Sequence, residues 1–596
     1  MKRYGKQCFQ WGLTILFGLA VFLFWRLKYP YVLSYQEQFQ LFIGSGAYFS
    51  SALAVPGGLA CYLSEWLVQL YISFTAGAVV IAVSLALTQR LTWAVFNKVC
   101  RCGCHTPDAY YPLSFLPSIL LWVLMGDESV LLAYIVSLVI CLTAMLLWPR
   151  KVIMQIVACL VAIPCIYWVA GPMVIAVALF VALLNFFTPK RQNDQTSKRP
   201  NSQTPKLLNA LLVLLWAVTC ILISAQFVPF PLDRLFAGIG YYRLLTVQPV
   251  LMLIVPLLCV LLPFVVSFLP AFHDNMKWRN SLFIVQTVAM VLIACLALPR
   301  AYEPRKYELM EYDHLVRTKQ WDAILAKAEQ KRPDLPMSVC ATNLALAMKG
   351  QLCDRIFDFY QHGHEGLLPN FQRHFTADQL TGEVMFYLGL VNTSQRLAME
   401  SMESLPDQRK SVRAMKRLAE TNLVNGHYEV ARKYLGFLKQ TLFYKEWAEQ
   451  TEALLGKEDK INAHPLYGWL RKIRLDEDFL YSEEEKDKIC GQLFMKNQDN
   501  MMAVQYLLMM PLLDKDINRF MQYTQLVNEK IDFRPRAVQE AIAFAYMQAN
   551  RQMPQGTVSP VVLQNLQGFM QAYNQSAQSP ALQNYSNTVW YYLLKK

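Results

Sequence analysis

Nine stretches of mainly apolar residues, each about 20 residues long and so long enough for a helix to cross a bilayer, lie within the first 299 residues of this 596-residue chain. They are roughly 10–27, 69–88, 109–126, 129–148, 152–170, 172–188, 207–226, 248–270 and 281–299. From Arg300 onward the apolar residues recur instead at the spacing of amphipathic helices. The pattern predicts an all-α protein, with a transmembrane bundle of nine spans over 1–299 and a second helical domain over 300–596.

The charged residues divide the chain at the same point. Residues 1–299 contain 19 Lys and Arg but only 8 Asp and Glu, whereas residues 300–596 contain 37 and 35. The net charge of +13 therefore belongs almost wholly to the membrane half. This distribution excludes a single globular domain, a disordered chain and a basic nucleic-acid-binding protein, and it makes the lipid bilayer the first expected partner.

Basic residues also mark one side of the predicted bundle. With the N-terminus inside, 15 of the 19 basic residues fall in cytoplasmic segments, and only Arg26, Lys28, Arg234 and Arg243 fall outside. Cytoplasmic loops of membrane proteins carry such an excess of Lys and Arg. Because nine is an odd number, we expect a bacterial inner-membrane protein with a cytoplasmic N-terminus and a periplasmic C-terminal domain.

The first outer loop, residues 28–68, has a pattern of its own. Two sets of residues each recur at helical spacing, which predicts two amphipathic helices at the outer membrane interface. The first set is Phe39, Phe42, Ile43, Ala47 and Ser50, and the second is Leu59, Leu63, Trp66, Leu67 and Leu70, with Ser64, Glu65 and Gln69 on its polar side.

Charged residues of the outer loops are the predicted functional groups. Glu37 is either a solvated residue that caps the first outer-loop helix or a carboxylate that faces a cavity as a general base or metal ligand. Asp233 and Arg234 form either a local ion pair or a site for a phosphate group. The predicted catalytic residue is Glu37, and the predicted substrate-binding residues are Arg26, Lys28, Glu65, Asp233, Arg234 and Arg243.

This layout resembles the membrane glycosyltransferases of the GT-C superfamily, in which a first span is followed by a long outer loop that opens with an acidic residue and continues as interfacial helices. A polytopic body and an outward C-terminal domain complete the likeness. In that superfamily an acidic residue of the first outer loop serves catalysis, and the donor is usually a polyprenyl-phosphate sugar. The resemblance implies such a donor here, with Glu37 at the matching position and Glu65 as the second choice.

A second resemblance rests on the strings Gln36-Glu37-Gln38-Phe39-Gln40-Leu41-Phe42 and Pro56-Gly57-Gly58-Leu59. Both strings are similar to an uncharacterised family of bacterial multi-pass membrane proteins with helical C-terminal domains. That family implies no activity. The alternative function is therefore a non-enzymatic envelope assembly or scaffold protein whose helical repeats bind a partner protein.

The C-terminal half contains a unit with the residue spacing of a tetratricopeptide helix pair. Its members are Leu418, Ala419, Asn422, Gly426, Tyr428, Ala431 and Leu435, and weaker copies surround Trp321, Gly350 and Gly389. Small residues allow the two helices to approach, and the aromatic residue fills the gap between them. The pattern predicts an α-solenoid of five or so degenerate helix pairs, a fold that binds peptides or proteins on its concave face.

Two groups of residues rich in Cys or His are candidates for a metal-binding site. Cys100, Cys102, Cys104 and His105 are spaced too tightly for one peptide to wrap a zinc ion, and His362, His364, Glu365 and His374 lie in a polar turn. We therefore predict no metal site. The sequence contains no glycine-rich phosphate loop, dinucleotide fingerprint, Gly-x-Ser-x-Gly elbow or zincin helix, which leaves any cofactor undefined.

Overall fold

The computed structural model describes residues 2–100, 108–149, 152–187, 204–244, 248–269, 276–370, 375–407, 409–475 and 485–594. Within these ranges the regular structure is helical, and the only β pairings are two isolated bridges, Val130 with Tyr242 and His362 with His364. The prediction of an all-α protein is confirmed.

Contacts divide the chain into two compact units, which are described separately. Unit 1 comprises Met1–Glu303 together with Pro406–Arg409 and Gln440–Phe443. Unit 2 comprises Pro304–Leu405, Lys410–Lys439 and Tyr444–Lys596. Two short segments of the C-terminal half therefore pack with the N-terminal half, which no sequence pattern indicated.

Unit 1 contains thirteen α-helices in its described part. They are α1 Lys2–Leu23, α2 Pro30–Gln38, α3 Gly46–Leu53, α4 Gly58–Val68, α5 Phe74–Cys100, α6 Leu116–Leu124, α7 Leu132–Leu147, α8 Val152–Ala170, α9 Val174–Phe187, α10 Thr204–Ser224, α11 Leu232–Ala237, α12 Leu251–Phe268 and α13 Met276–Ala301. A π-helical turn, Phe24–Lys28, follows α1, and 3₁₀ turns occupy Gln69–Ile72, Asp108–Phe115 and Gly171–Met173.

Five stretches in the described part of unit 1 are long and apolar enough to cross a membrane: Gln7–Lys28, Phe74–Cys100, Met154–Phe187, Leu251–Phe268 and Lys277–Ala301. Shorter apolar helices occupy Asp108–Leu124, Leu132–Leu147 and Leu208–Ser224. Several of these helices carry large exposed apolar side chains, for example on α10 and α13, as expected of surfaces that contact lipid. Unit 1 is thus compatible with membrane insertion, and the count of nine crossings stays a prediction.

The sequence predicts a helix over the first apolar set of the outer loop, from Phe39 to Ser50. This prediction is wrong between Phe39 and Ser45. The helix α2 ends at Gln38, and the chain is not helical again until Gly46. Ser45 caps α3 by accepting the backbone N–H of Tyr48 at 3.2 Å, and the N–H of Gly44 donates to the carbonyl of Gln440 at 3.0 Å. The Ser45 cap makes a new helix begin at Gly46, and the backbone bond to Gln440 is made by Gly44 just before it. These two contacts, and not the apolar spacing, determine the structure of this segment.

The second predicted helix of the loop is α4, and its burial pattern shows which medium it contacts. The predicted apolar face is exposed, with Leu63 at 40% and Trp66 at 50%, whereas Ala60 and Ser64 are buried. Its small and polar side therefore packs into unit 1, and its large apolar side points outward, as in a helix that contacts lipid.

Two glycines fix the start of α4 against the turn between α8 and α9. Gly57 has a φ of +77° and donates its N–H to the carbonyl of Trp168 at 2.9 Å. A Cβ on Gly57 would lie 3.3 Å from the backbone of Gly171, which itself has a φ of +68°. Glycine meets both the positive φ and the close approach without strain.

Unit 2 contains seventeen α-helices in its described part. They are α14 Pro304–Arg317, α15 Trp321–Gln330, α16 Pro336–Met348, α17 Leu352–Arg355, α18 Phe375–Leu388, α19 Val391–Glu403, α20 Val412–Asn425, α21 Tyr428–Leu438, α22 Lys445–Glu452, α23 Glu458–Ala463, α24 Tyr467–Ile473, α25 Lys486–Lys496, α26 Met501–Leu513, α27 Ile517–Asn528, α28 Arg536–Gln548, α29 Pro560–Gln575 and α30 Val589–Leu594.

Neighbouring helices of unit 2 pack on one another in chain order, from α18 to α19, α20 and α21. Gly426 ends α20 in the left-handed conformation, with a φ of +81°, and α21 follows two residues later. Leu418 and Ala419 of α20 and Leu435 of α21 are buried in this pair. The residues that carry the repeat-like pattern thus lie in two adjacent helices.

Glu540 of α28 makes the stability of unit 2 depend on pH. Burial raises the pKa of Glu540 from 4.5 to about 7. A hydrogen bond from the backbone N–H of Val589 and the charge of Arg536 act in the opposite direction and lower this pKa, but by less. Because the folded state holds this proton more tightly than the unfolded chain, the contribution of Glu540 to stability is fully present below pH 4.5. It is expected to fall as the pH rises through about 7, by on the order of 3 kcal/mol.

Hydrogen exchange of the α30 amides across this pH range, corrected for intrinsic rates, measures that change as an opening free energy. The matched control is Glu540→Gln, which keeps an oxygen acceptor for Val589 but does not ionise. The variant is expected to show no pH slope between 4.5 and 7. A slope equal to that of the wild type would contradict the assignment to Glu540.

Candidate functional site

The helix α2 carries Glu37 into the interior of unit 1. All of its residues except Tyr31 are buried, and Glu37 is 3% exposed. The interpretation of Glu37 as a solvated capping residue is therefore wrong. Burial of a carboxylate is costly, and a buried ionisable residue near a membrane is a functional candidate for that reason.

Three glutamines near Glu37 donate their side-chain amides to main-chain carbonyls, and the bonds of Gln36 join α2 to the turn between α6 and α7. The side-chain amide of Gln36 donates to the carbonyls of Glu128 at 3.1 Å and Val130 at 3.0 Å. Gln38 donates to the carbonyl of Ser34 at 3.0 Å, and Gln40 donates to that of Gln36 at 3.1 Å. These amides bond to main-chain carbonyls, so the polar side chains of α2 have fixed positions.

Arg243 lies against the two aromatic residues that flank Glu37 in the sequence. Its guanidinium carbon is 4.9 Å from the ring centroid of Phe39 and 5.6 Å from that of Tyr35, both within cation–π range. The side chain is buried, and its Nε has no hydrogen-bond partner in the described part of the chain. The backbone N–H of Arg243 donates to Ser129 at 2.7 Å, which fixes the loop beside α2.

Glu65 of α4 is linked through Arg409 to Gln40, in the segment that follows α2. The Oε2 of Glu65 accepts the Tyr48 hydroxyl at 2.5 Å, and its Oε1 lies 3.6 Å from Nη2 of Arg409. Arg409 in turn donates to Oε1 of Gln40 at 3.3 Å. Burial raises the pKa of Glu65, although the charge of Arg409 acts in the opposite direction. We call Gln36–Gln40, Glu65, Arg243 and Arg409 the polar layer of unit 1.

Arg234 forms its ion pair with Asp407, and both side chains are buried. Asp407, which has a φ of +59°, also accepts the backbone N–H of Gly240 at 3.4 Å. Asp233 is exposed in the first turn of α11. The expected local pair between Asp233 and Arg234 is therefore wrong, because the buried guanidinium takes a carboxylate 173 positions away.

Arg26 and Lys28 lie outside the polar layer. The Nε of Arg26 donates to the hydroxyl of Thr75 at 3.0 Å. Lys28 is exposed, with its ammonium 5.5 Å from the ring centroid of Tyr302. Of the predicted site residues, Glu37, Glu65 and Arg243 are thus the ones that share the polar layer.

Sequence reasoning missed the acidic turn between α6 and α7 as part of this region. In this turn Glu128 is 9% exposed, and Asp127 accepts the Tyr242 hydroxyl at 3.2 Å. It also missed Asp407 and Arg409. The partners of these residues are far away along the chain, so no local pattern reveals them.

The described residues contain no group of three or more His, Cys, Asp or Glu side chains placed to hold a metal ion. His362 contacts the carbonyl of Asp334 at 2.6 Å, and His364 contacts Asp514 at 2.7 Å. Residues 101–107 of the cysteine-rich run, and His374, lie outside the described residues.

One family matches almost the entire chain. It is described as a family of unknown function, DUF6057, and its match covers residues 6–596. The chain belongs to this family. No curated protein and no solved structure matches the sequence. The predicted relation to an uncharacterised family thus agrees with the match, and the similarity to GT-C glycosyltransferases stays a prediction.

Proposed function

We propose that this protein is a GT-C-like membrane glycosyltransferase that takes a sugar from a polyprenyl-phosphate carrier. The observation that carries the proposal is the burial of Glu37 in the polar layer, at the end of α2 in the loop after the first apolar helix. A carboxylate fixed in a water-poor site is suited to accept the proton of an acceptor hydroxyl. Glu37 is the proposed general base.

Arg243 is the proposed contact for the lipid phosphate. Guanidinium groups bind phosphate oxygens through charge-assisted hydrogen bonds, and desolvation strengthens these bonds. The Arg243 side chain is buried and lies over Tyr35 and Phe39 rather than at the surface. Its place beside the residues that flank Glu37 supports a shared role with that carboxylate.

In the proposed topology the chain crosses a bacterial inner membrane nine times, and the C-terminal half lies in the periplasm. The proposed role of the C-terminal half is that of a tetratricopeptide-like solenoid that presents an acceptor or a partner protein. The adjacent helices α18 to α21, with Gly426 at the turn between α20 and α21, support this interpretation.

A second candidate function, a non-enzymatic envelope scaffold, is favoured by a different observation. Glu65 and Arg234 are both committed to residues of this chain, Arg409 and Asp407. Two groups predicted to bind substrate are thus already paired. In a scaffold, these pairs would serve only to hold the segment Pro406–Arg409 in unit 1.

The pool of polyprenyl-linked sugars in membranes distinguishes the two functions. Deletion of the gene is expected to cause one polyprenyl-phosphate sugar to accumulate, and restoration of the wild-type protein is expected to remove it. Mass spectrometry of extracted lipids measures both changes. An unchanged pool, in cells that nevertheless show a deletion phenotype, would refute the transferase and support the scaffold.

A further inference from the structure

An apolar cavity of about 190 Å³ lies within unit 1, apart from the polar layer. Its walls come from α7, α9, α11 and α12 and from the turn Gly171–Met173. Drug-sized ligands occupy pockets of about 300–1,000 Å³, whereas a cavity of about 150 Å³ holds one benzene-sized molecule. The volume therefore suits the end of one hydrocarbon chain.

The polar groups of the cavity wall are bonded within the protein. The Tyr134 hydroxyl donates to the carbonyl of Met252 at 2.8 Å, and the Gln248 amide donates to that of Ala237 at 3.0 Å. The hydroxyl of Tyr241 donates to Ala170. The described wall residues otherwise have apolar side chains, so recognition of a polar ligand has no support here.

The mouth of the cavity indicates what enters it. Leu253, Leu257 and Phe236 line the cavity and are also exposed, with Leu253 at 72%. Two of them belong to α12, one of the helices that is long and apolar enough to cross a membrane. The medium against such a surface is bilayer hydrocarbon, and phospholipid acyl chains are its main component.

We infer that this cavity binds the end of one acyl chain of a bilayer phospholipid. Because the chain comes from bilayer hydrocarbon and not from water, packing contacts inside the cavity provide the affinity, at a cost in chain entropy. The bound chain fills a void that would otherwise leave the facing side chains without packing partners.

The test uses the full chain in phospholipid nanodiscs that contain phosphatidylcholine with a diazirine at the end of one acyl chain. After irradiation, peptide mapping is expected to find labelled Tyr134, which is 1% exposed and lies in the cavity wall. Lipid outside the protein does not reach a buried side chain. Absence of label at Tyr134, with label on exposed residues of α12, would overturn the inference.

Ala176→Phe narrows the cavity from α9, and Val161→Phe is the control on the exposed surface of α8. The first variant is expected to lower labelling of Tyr134 by about tenfold, because the phenyl ring takes the space of the chain end and overpacking an apolar site has a cost of this order. The second is expected to leave it unchanged. Equal labelling in both, with both variants folded by hydrogen exchange, would refute the site.

An excess of a polyprenyl phosphate in the nanodisc tests the choice of lipid. Labelling of Tyr134 is expected to persist, because the proposed occupant is a phospholipid acyl chain. Displacement of the label by the polyprenyl phosphate would overturn the assignment to a phospholipid. This test is independent of the proposed transferase, because it requires no turnover.

Discussion

Replacement of Glu37 by glutamine is expected to lower the rate of sugar transfer by about 10²–10⁴-fold, the usual contribution of a general base. Glutamine has the same shape but cannot accept a proton at neutral pH. The neutral side chain also avoids the cost of a buried charge, so the protein is expected to remain folded. Depletion of the accumulated polyprenyl-linked sugar, followed over time in membranes, measures the rate.

The matched control for this change is Glu446→Gln, which removes an exposed carboxylate from α22. Its rate is expected to equal that of the wild type. Glu37→Asp keeps the charge but withdraws it by one methylene, and an intermediate rate is expected. If Glu37→Gln and the wild type deplete the sugar equally fast, Glu37 is not the base, even if the protein is a transferase.

Local pattern was sufficient to predict the long apolar helices of unit 1. In the described residues, each of the nine apolar stretches contains a helix, because hydrophobic length is read directly from neighbouring residues. The same reasoning failed at Phe39–Ser45, where Ser45 caps α3 and Gly44 bonds to Gln440, nearly 400 positions away. Spacing along one segment contains no information about such a partner.

The candidate site shows the same division between local and distant information. The position of Glu37 in the first outer loop was sufficient to single it out, but it left open whether the carboxylate is solvated or faces a cavity. It is buried because Gln36 bonds to carbonyls of the turn between α6 and α7. Likewise, Arg234 forms its ion pair with Asp407 and not with the adjacent Asp233. Adjacency in the sequence therefore did not identify the partner of this arginine.

Replacement of Arg413 by methionine is expected to destabilise α20 by about 3–5 kcal/mol, the cost of breaking a buried ion pair from one side. Its Nη1 lies 2.7 Å from Asp313, and its Nη2 lies 3.4 Å from Glu383. Burial would raise the pKa of Glu383, but Arg417 and Arg413 hold it below its ordinary value. The Glu383 carboxylate therefore stays charged at neutral pH, and the variant leaves both Glu383 and Asp313 buried without this donor.

Hydrogen exchange of the α20 amides in the full chain measures the loss as a change in opening free energy. Arg396→Met is the matched control, since Arg396 pairs with Glu400 at 3.4 Å with both side chains partly exposed, and it is expected to cost under about 0.5 kcal/mol. Addition of Asp313→Asn to Arg413→Met is expected to recover part of the loss, because it removes the stranded charge. If the double variant is as unstable as the sum of the single ones, the loss comes from packing around the arginine stem and not from the buried charge.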